Sequence, residues 1–375
     1  MADARPAAGT NWRKRILAWG LACVALAFVA NAVPVHDRCD DPSSESAPGV
    51  KGARVAVSRD GASCVLHRAA GDVRMSAAEC AQLRCEPGLA STLEGARVGL
   101  LAALLAFYFL GTLAWAARFR ALVVLAGVPI TVRETWRITL ESQAGGIGGD
   151  ALRVGFVVGR GGDLTTVIAA VLLDRVIGLV TVAGLAAALA AACGGGELGP
   201  LCLTLGAIPI AFAVGLAVAR WEPVARASIF TRGPLARVAR PVLAYLGDPR
   251  APRAIALALG LSVLVSMTQF GVIRGIIAAL GGVPLVERWV YMGTTMAFIV
   301  GIIPALPGGW GTSDAAFVFF LGKAGLAASI ALAVGLVYRL FWYSSGAVGA
   351  LLYLLRQHAS PSSPTRSRTE GERTR

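Results

Sequence analysis

The feature that most limits what this chain can become is a series of apolar runs about as long as a bilayer is thick. Ile16 to Val35, Val98 to Ala116, Leu164 to Cys193, Leu201 to Val218, Ala254 to Leu280 and Ala327 to Leu355 are each long and poor in charge. A helix rises 1.5 Å per residue, so about 20 such residues cross the roughly 30 Å hydrocarbon layer. With 56% of 375 residues hydrophobic and 15% charged, the expected fold class is all-α, a polytopic membrane helix bundle of six full spans. An ordinary soluble enzyme is excluded.

The net charge of +13 would point to nucleic acid in a soluble chain. Here the positive-inside rule accounts for it, and no nucleic-acid partner is expected. Four shorter runs cannot cross: Leu122 to Ile130, Val132 to Gly149, Tyr291 to Ile303 and Ser313 to Gly322. They read as two re-entrant hairpins, Leu122 to Gly149 and Tyr291 to Gly322, entering from opposite sides. Six spans then place both termini in the cytoplasm of a cell with this inner membrane. On that topology 22 lysines and arginines fall on the cytoplasmic side, and the two short outer loops hold one, Arg288.

The domain reading is a tail and first span over 1–35, an extracytoplasmic loop domain over 36–97, a transmembrane core over 98–355 and a disordered tail over 356–375. Ile16 to Val35 is taken as an uncleaved anchor, in preference to a signal peptide ending at Ala30, Asn31 and Ala32. The loop domain holds Cys39, Cys64, Cys80 and Cys85, without a CxxC pair. Two disulfides are expected there rather than a metal, with three pairings open. Alternation over Arg54 to Ser58 and the stretch SAAECAQLRC predict a short strand and a short helix.

Within the second hairpin, IIPALPGGWGTSDAAFVFF from Ile302 to Phe320 breaks an apolar helix with prolines and glycines. Freed backbone groups are tolerated at membrane depth only where protein or a water-filled cavity surrounds them, and transporters build substrate sites from such breaks. An internal repeat points to a partner for it. GVPITVRETW at Gly127 answers GVPLVERW at Gly282, GGIGGDA at Gly145 answers GGWGTSDA at Gly308, and Arg175 and Arg339 each follow an aspartate, Asp150 or Asp314, by 25 residues. Three spans separate the copies, which makes the repeat inverted.

Charges inside the runs complete the candidate site. Asp174, Arg175, Arg274 and Arg339 are costly in hydrocarbon and should face the bundle interior with partners. Two accounts stand side by side: structural pairing across the pseudo-symmetry axis, Arg175 with Asp314 and Arg339 with Asp150, and bidentate binding of a passing lipid phosphate. The expected substrate-binding set is Glu141, Gly146, Asp150, Arg153, Asp174, Arg175, Pro307, Gly308, Gly309, Gly311, Ser313, Asp314 and Arg339. Ser313 and Asp314 also sit where helix caps would. Basic residues around PLARVARPVLAYL predict an amphipathic stretch on the anionic inner leaflet.

PGGWGTSDAAFVFFL at Pro307, GGIGGDALR at Gly145, LLDRVIGL at Leu172 and the late Arg339 together resemble the lysylphosphatidylglycerol synthase/flippase transmembrane family, over about Val98 to Leu355. The family's first glycine motif usually opens with proline, where Gly145 stands, and its second usually carries glutamate, where Asp314 stands. The resemblance implies movement of a polar-headed lipid between leaflets, with the alternative of a membrane subunit or enzyme in lipid-linked glycosyl or aminoacyl transfer. It implies membrane lipids, anionic or phosphate-headed, as partners, and a separate lipid-modifying enzyme as a second partner. No soluble aminoacyl-transferase domain follows Leu355 in this sequence, so synthase activity, catalytic residues, cofactors and metals are not expected.

Overall fold

The computed structural model describes residues 27–40, 54–60, 63–68, 71–76, 78–79, 83, 85–144, 149–194, 196–219, 236–282, 285–302 and 310–359. The helices in order are α1 (Leu89–Glu94), α2 (Val98–Leu125), α3 (Val132–Ala144), α4 (Gly149–Val158), α5 (Leu164–Ala192), α6 (Gly199–Ala219), α7 (Ala236–Gly247), α8 (Ala251–Ala279), α9 (Glu287–Ile302), α10 (Thr312–Lys323) and α11 (Ala328–Ala359). A 3-10 turn, Gly196–Leu198, leads into α6. Among the described residues five helices are long and apolar enough to cross a membrane: α2, α5, α6 with its leading turn, α8 and α11. They match five of the six expected spans. Most of the sixth run, Ile16 to Val35, lies outside the described residues, and 27–32 are helical.

Helix boundaries follow local chemistry. α2 does not stop at Ala116 but runs 28 residues to Leu125, because Arg118 and Arg120 find acceptors inside the protein. It ends where Gly127 adopts a φ of 83°, a left-handed turn that L side chains resist. Leu122 to Ile130 is therefore not a hairpin arm, and the expected boundary is corrected: the first hairpin is α3 and α4. Thr131 and Glu134 open α3 with reciprocal bonds, Thr131 N–H to Glu134 Oε2 at 3.0 Å and Glu134 N–H to Thr131 Oγ1 at 3.2 Å, a capping box. Asp163 caps α5 by accepting from the N–H of Thr166.

Both short helix pairs fold back on themselves. In the first, Arg153 reaches Ser142 at one end while Arg160 lies 4.0 Å from Glu134 at the other, so α3 and α4 run antiparallel. In the second, the Ser313 hydroxyl donates to Ala297 C=O at 3.1 Å and Gly293 faces Phe320, which sets α9 antiparallel to α10. With 13, 10, 16 and 12 residues, these helices reach about 15 to 24 Å, short of a bilayer core.

Apolar area cannot hold helices together in lipid as it does in water, so close backbone approach takes over, and glycine permits it. Gly111 of α2 faces Thr268 of α8, and Gly275 of α8 faces Leu104 of α2. Along the seam between α3 and α11 the approach is closer still. A Cβ at Gly349 would collide with the backbone of Leu140 and Glu141, and one at Gly346 would lie 3.2 Å from Ala144 N.

The loop domain departs from the all-α expectation. Its strands β1 (Asp37–Asp40), β2 (Arg54–Asp60), β3 (Ser63–Arg68), β4 (Gly71–Ser76) and β5 (Cys85–Glu86) form an antiparallel sheet in the order β4-β3-β2-β1-β5. The expected single strand is thus one of five. Cys39 and Cys85, opposite each other in register, form a disulfide. Cys64 is also disulfide-bonded, and Cys80 lies outside the described residues. The sheet is tied to the bundle through Gly88 N–H and the Ser91 hydroxyl, both donating to Asp37 Oδ1, and through Ser329, which donates to Pro87 C=O.

Candidate functional site

Two charged centres lie within the bundle, one at each hairpin. In the first, Asp174 of α5 is fully buried and accepts from Arg118 of α2 through both oxygens, at 2.7 and 3.0 Å. Arg118 also donates to Ser262 of α8 at 3.0 Å. Gly178, one turn beyond Asp174, leaves room for it, since a Cβ there would lie 3.0 Å from its Nη1. Arg153 of α4 is 1% exposed. Its Nε donates to Ser142 at 2.9 Å and its Nη1 lies 3.5 Å from Asp174 Oδ2 without a hydrogen-bond partner. The rings of Trp115 and Phe119 flank its guanidinium at 4.9 and 5.2 Å, a favourable cation–π setting. At the rim, Arg175 donates twice to Asp150, and their side chains are 47% and 42% exposed.

The second centre is smaller and closed. Asp314 of α10 accepts from Arg339 of α11 at 3.1 Å and from Gly311 N–H at 2.9 Å. A second guanidinium nitrogen lies 2.9 Å from its other oxygen, and the two side chains are 4% and 7% exposed. Gly311 makes this cap with a φ of 79°, which explains a glycine there. Trp310 lies over the Arg339 guanidinium at 4.2 Å and donates its indole N–H to Tyr343 at 2.8 Å.

Both centres lean on α11. Asp314 pairs with Arg339 while Phe317 faces Gly335, so α10 runs antiparallel to α11. Leu140 faces Gly349 while Gln143 accepts a hydrogen bond from Ser345, so α3 does too. Two helices antiparallel to a third share a direction. The C-terminal end of α3 and the N-terminal end of α10 therefore both lie against Arg339 to Gly346 of α11.

The expected pairings are corrected. Arg175 pairs with Asp150 and Arg339 with Asp314, each with the aspartate of its own repeat and each across 25 residues. The short link is met because each arginine lies on the long helix that packs against its own hairpin. Asp150, Arg153, Asp174 and Arg175 come together, as do Gly311, Asp314 and Arg339. Among the described residues the Ser313 hydroxyl bonds to α9 rather than to a helix-end N–H. Glu141, 3% exposed, sits beside Arg137 at 3.3 Å, with neither carboxylate oxygen hydrogen-bonded. Arg274 pairs with Glu287 at 2.8 Å. Gly146, Pro307, Gly308 and Gly309 lie outside the described residues, whereas the PLARVARPVLAYL stretch, apart from its first two residues, is helical and makes up most of α7. Arg118, Ser142, Ser262, Trp115, Trp310 and Tyr343 were not foreseen. The pattern Trp115, Arg118, Phe119, with helical spacing in an unbroken apolar run, was the available signal for the first of them.

The family model described as lysylphosphatidylglycerol synthase TM region matches residues 88–349. No curated protein and no solved structure matches the chain.

Proposed function

The chain belongs to the lysylphosphatidylglycerol synthase transmembrane family, and from that premise we propose that this multi-pass membrane protein moves a polar-headed lipid between leaflets and is not itself an enzyme. The reading is supported by two short helix pairs, each with an aspartate bonded to an arginine 25 residues on, whose α3 and α10 ends lie against the same stretch of α11. As an inverted repeat, the hairpins enter from opposite faces and meet near the bilayer midplane. Broken helices are tolerated there around a polar cavity, and rocking of two inverted halves exposes such a site to one face at a time. The head group passes between the hairpin breaks while the acyl chains stay in lipid.

The proposed setting is a cytoplasmic membrane with both termini inside and the sheet outside, where a Cys39–Cys85 disulfide persists. The proposed partners are membrane lipids with anionic or phosphate head groups, and a separate enzyme that modifies them. Reconstitution in liposomes with labelled phosphatidylglycerol, an aminoacyl-lipid and a polyprenyl phosphate tests the proposal. Protein-dependent exchange of at least one lipid, reduced by Arg175→Ala and Arg339→Ala, is expected. Exchange of none of them would overturn the transport reading.

A further inference from the structure

The sheet of the loop domain has two edges of unequal kind. β5 offers two residues, too few to template another strand, whereas β4 offers six, Gly71–Ser76. Among the described residues no strand pairs with the outer side of β4. Unpaired N–H and C=O groups along an edge invite a further strand, and proteins commonly blunt such an edge with lysine, proline or a bulge. β4 carries neither lysine nor proline. Its register against β3 runs without a bulge from the Arg68–Gly71 pair to the Ser63–Ser76 pair.

Side chains alternate along a strand, so Val73 and Met75 share one face and Asp72 and Arg74 the other. Val73 lies opposite Leu66, and Met75 opposite Cys64. Leu66 and Cys64 are 0% and 1% exposed, whereas Val73 is 37% exposed. The apolar layer of the sheet therefore runs out, half covered, at Val73. On the other face Asp72 and Arg74 are both exposed. Asp72 lies 3.0 Å from His67 on β3 and still has 62% of its side chain exposed, which leaves it room for a second partner.

We infer that the β4 edge pairs with the β4 edge of a second copy of this chain, antiparallel and centred on Val73. Register decides the occupant. A two-fold axis along the sheet normal keeps each face on its own side, so one residue of the strand must meet its own counterpart. Centring on Asp72 or on Arg74 sets like charges face to face, which is destabilising. Centring on Val73 sets Asp72 of each copy against Arg74 of the other, and it brings the two Val73 side chains together to complete the apolar layer. One strand pair is a small interface for partners free in solution. Here both copies are held in one bilayer by long apolar helices, which raises their effective concentration, so a short edge suffices. The inference goes beyond the transport reading and stands without it.

The test uses the full chain reconstituted in liposomes at low density. Val73→Cys is oxidised and covalent dimers are counted on non-reducing gels, with the unsubstituted chain as the background for free cysteines such as Cys193 and Cys202. Val73→Cys should give dimers at least about tenfold above that background, since the two side chains are direct cross-strand neighbours. Ser76→Cys, roughly 20 Å from its counterpart in this register, should stay at background. Adding Asp72→Arg or Arg74→Asp to Val73→Cys sets like charges opposite each other twice and should cut the dimers about tenfold. Both changes together restore opposite pairs and should restore the dimers. These positions are exposed, and an intact Cys39–Cys85 link checks that each variant has folded. Val73→Cys dimers at background, equal dimers from Ser76→Cys, or no recovery in the double charge swap would overturn the inference. Val73→Cys shielded from a maleimide without forming dimers would give the edge to another segment of the same chain. A cross-link only to a different protein in native membranes would give it to a foreign strand, and either result overturns self-pairing as well.

Discussion

Replacing Arg339 by alanine strands the carboxylate of Asp314. The pair is 7% and 4% exposed, and removing one partner of a buried pair costs about 3–5 kcal/mol, because the other charge stays behind without its counter-ion. What remains to Asp314 is the Gly311 N–H at 2.9 Å. Arg175→Ala is the internal comparison. Its pair with Asp150 is nearly half exposed, and facing the water-filled cavity of the proposed site such a pair contributes about 0–1 kcal/mol after screening. The two variants should therefore differ by about 3 kcal/mol, roughly a hundredfold in the folded-to-unfolded ratio. Titration with a denaturing detergent in mixed micelles, followed by far-UV circular dichroism, measures the difference. Adding Asp314→Ala to Arg339→Ala should recover most of the loss, since the stranded charge is then gone. If Arg339→Ala is no less stable than Arg175→Ala, or the second substitution recovers nothing, the closed character of the second centre is refuted.

Gly349→Ala should push α11 off α3, because the added methyl would overlap the Leu140 and Glu141 backbone; cysteine cross-linking between the two helices should fall sharply. Cys39→Ser opens a link spanning 46 residues, a loss of about 4 kcal/mol to the sheet on a chain-entropy estimate; proteolysis of the loop domain should speed up while lipid exchange persists. Hydrogen bonds from the Thr165 hydroxyl and then Thr166 hold the Asp163 carboxyl below its ordinary range. A depressed folded value means that this stabilisation is present above the unfolded value and is lost as pH falls through the folded one. Hydrogen exchange at Thr166 should lose protection in acid, and Asp163→Asn, which caps without titrating, should flatten that dependence.

The long spans and the paired aspartate–arginine spacing were legible because each is local: length and periodicity within one helix, or a fixed interval between one hairpin and the next long helix. Arg118 was not, since a charge near a run's end reads as an interfacial stop. Its burial depends on Asp174 and Ser262, 56 and 144 residues away. The cross-axis pairings failed for a related reason. Symmetry in a sequence tells which residues correspond, but not which of two equivalent partners is nearer. Alternation over Arg54 to Ser58 pointed to one strand. The remaining strands are short segments, held partly by the Cys39–Cys85 link, and a disulfide framework weakens the hydrophobic pattern that reveals a sheet.

The glycine seam between α3 and α11 has a mechanical consequence. Where Gly346 and Gly349 bring two backbones together, no layer of side chains is left to yield, so a tilt of the first hairpin drags α11 with it. Arg339, Tyr343 and Ser345 ride on that same rod. On the proposed transport reading, a head group that displaces the first helix pair should therefore be felt at once at Arg339 and Asp314.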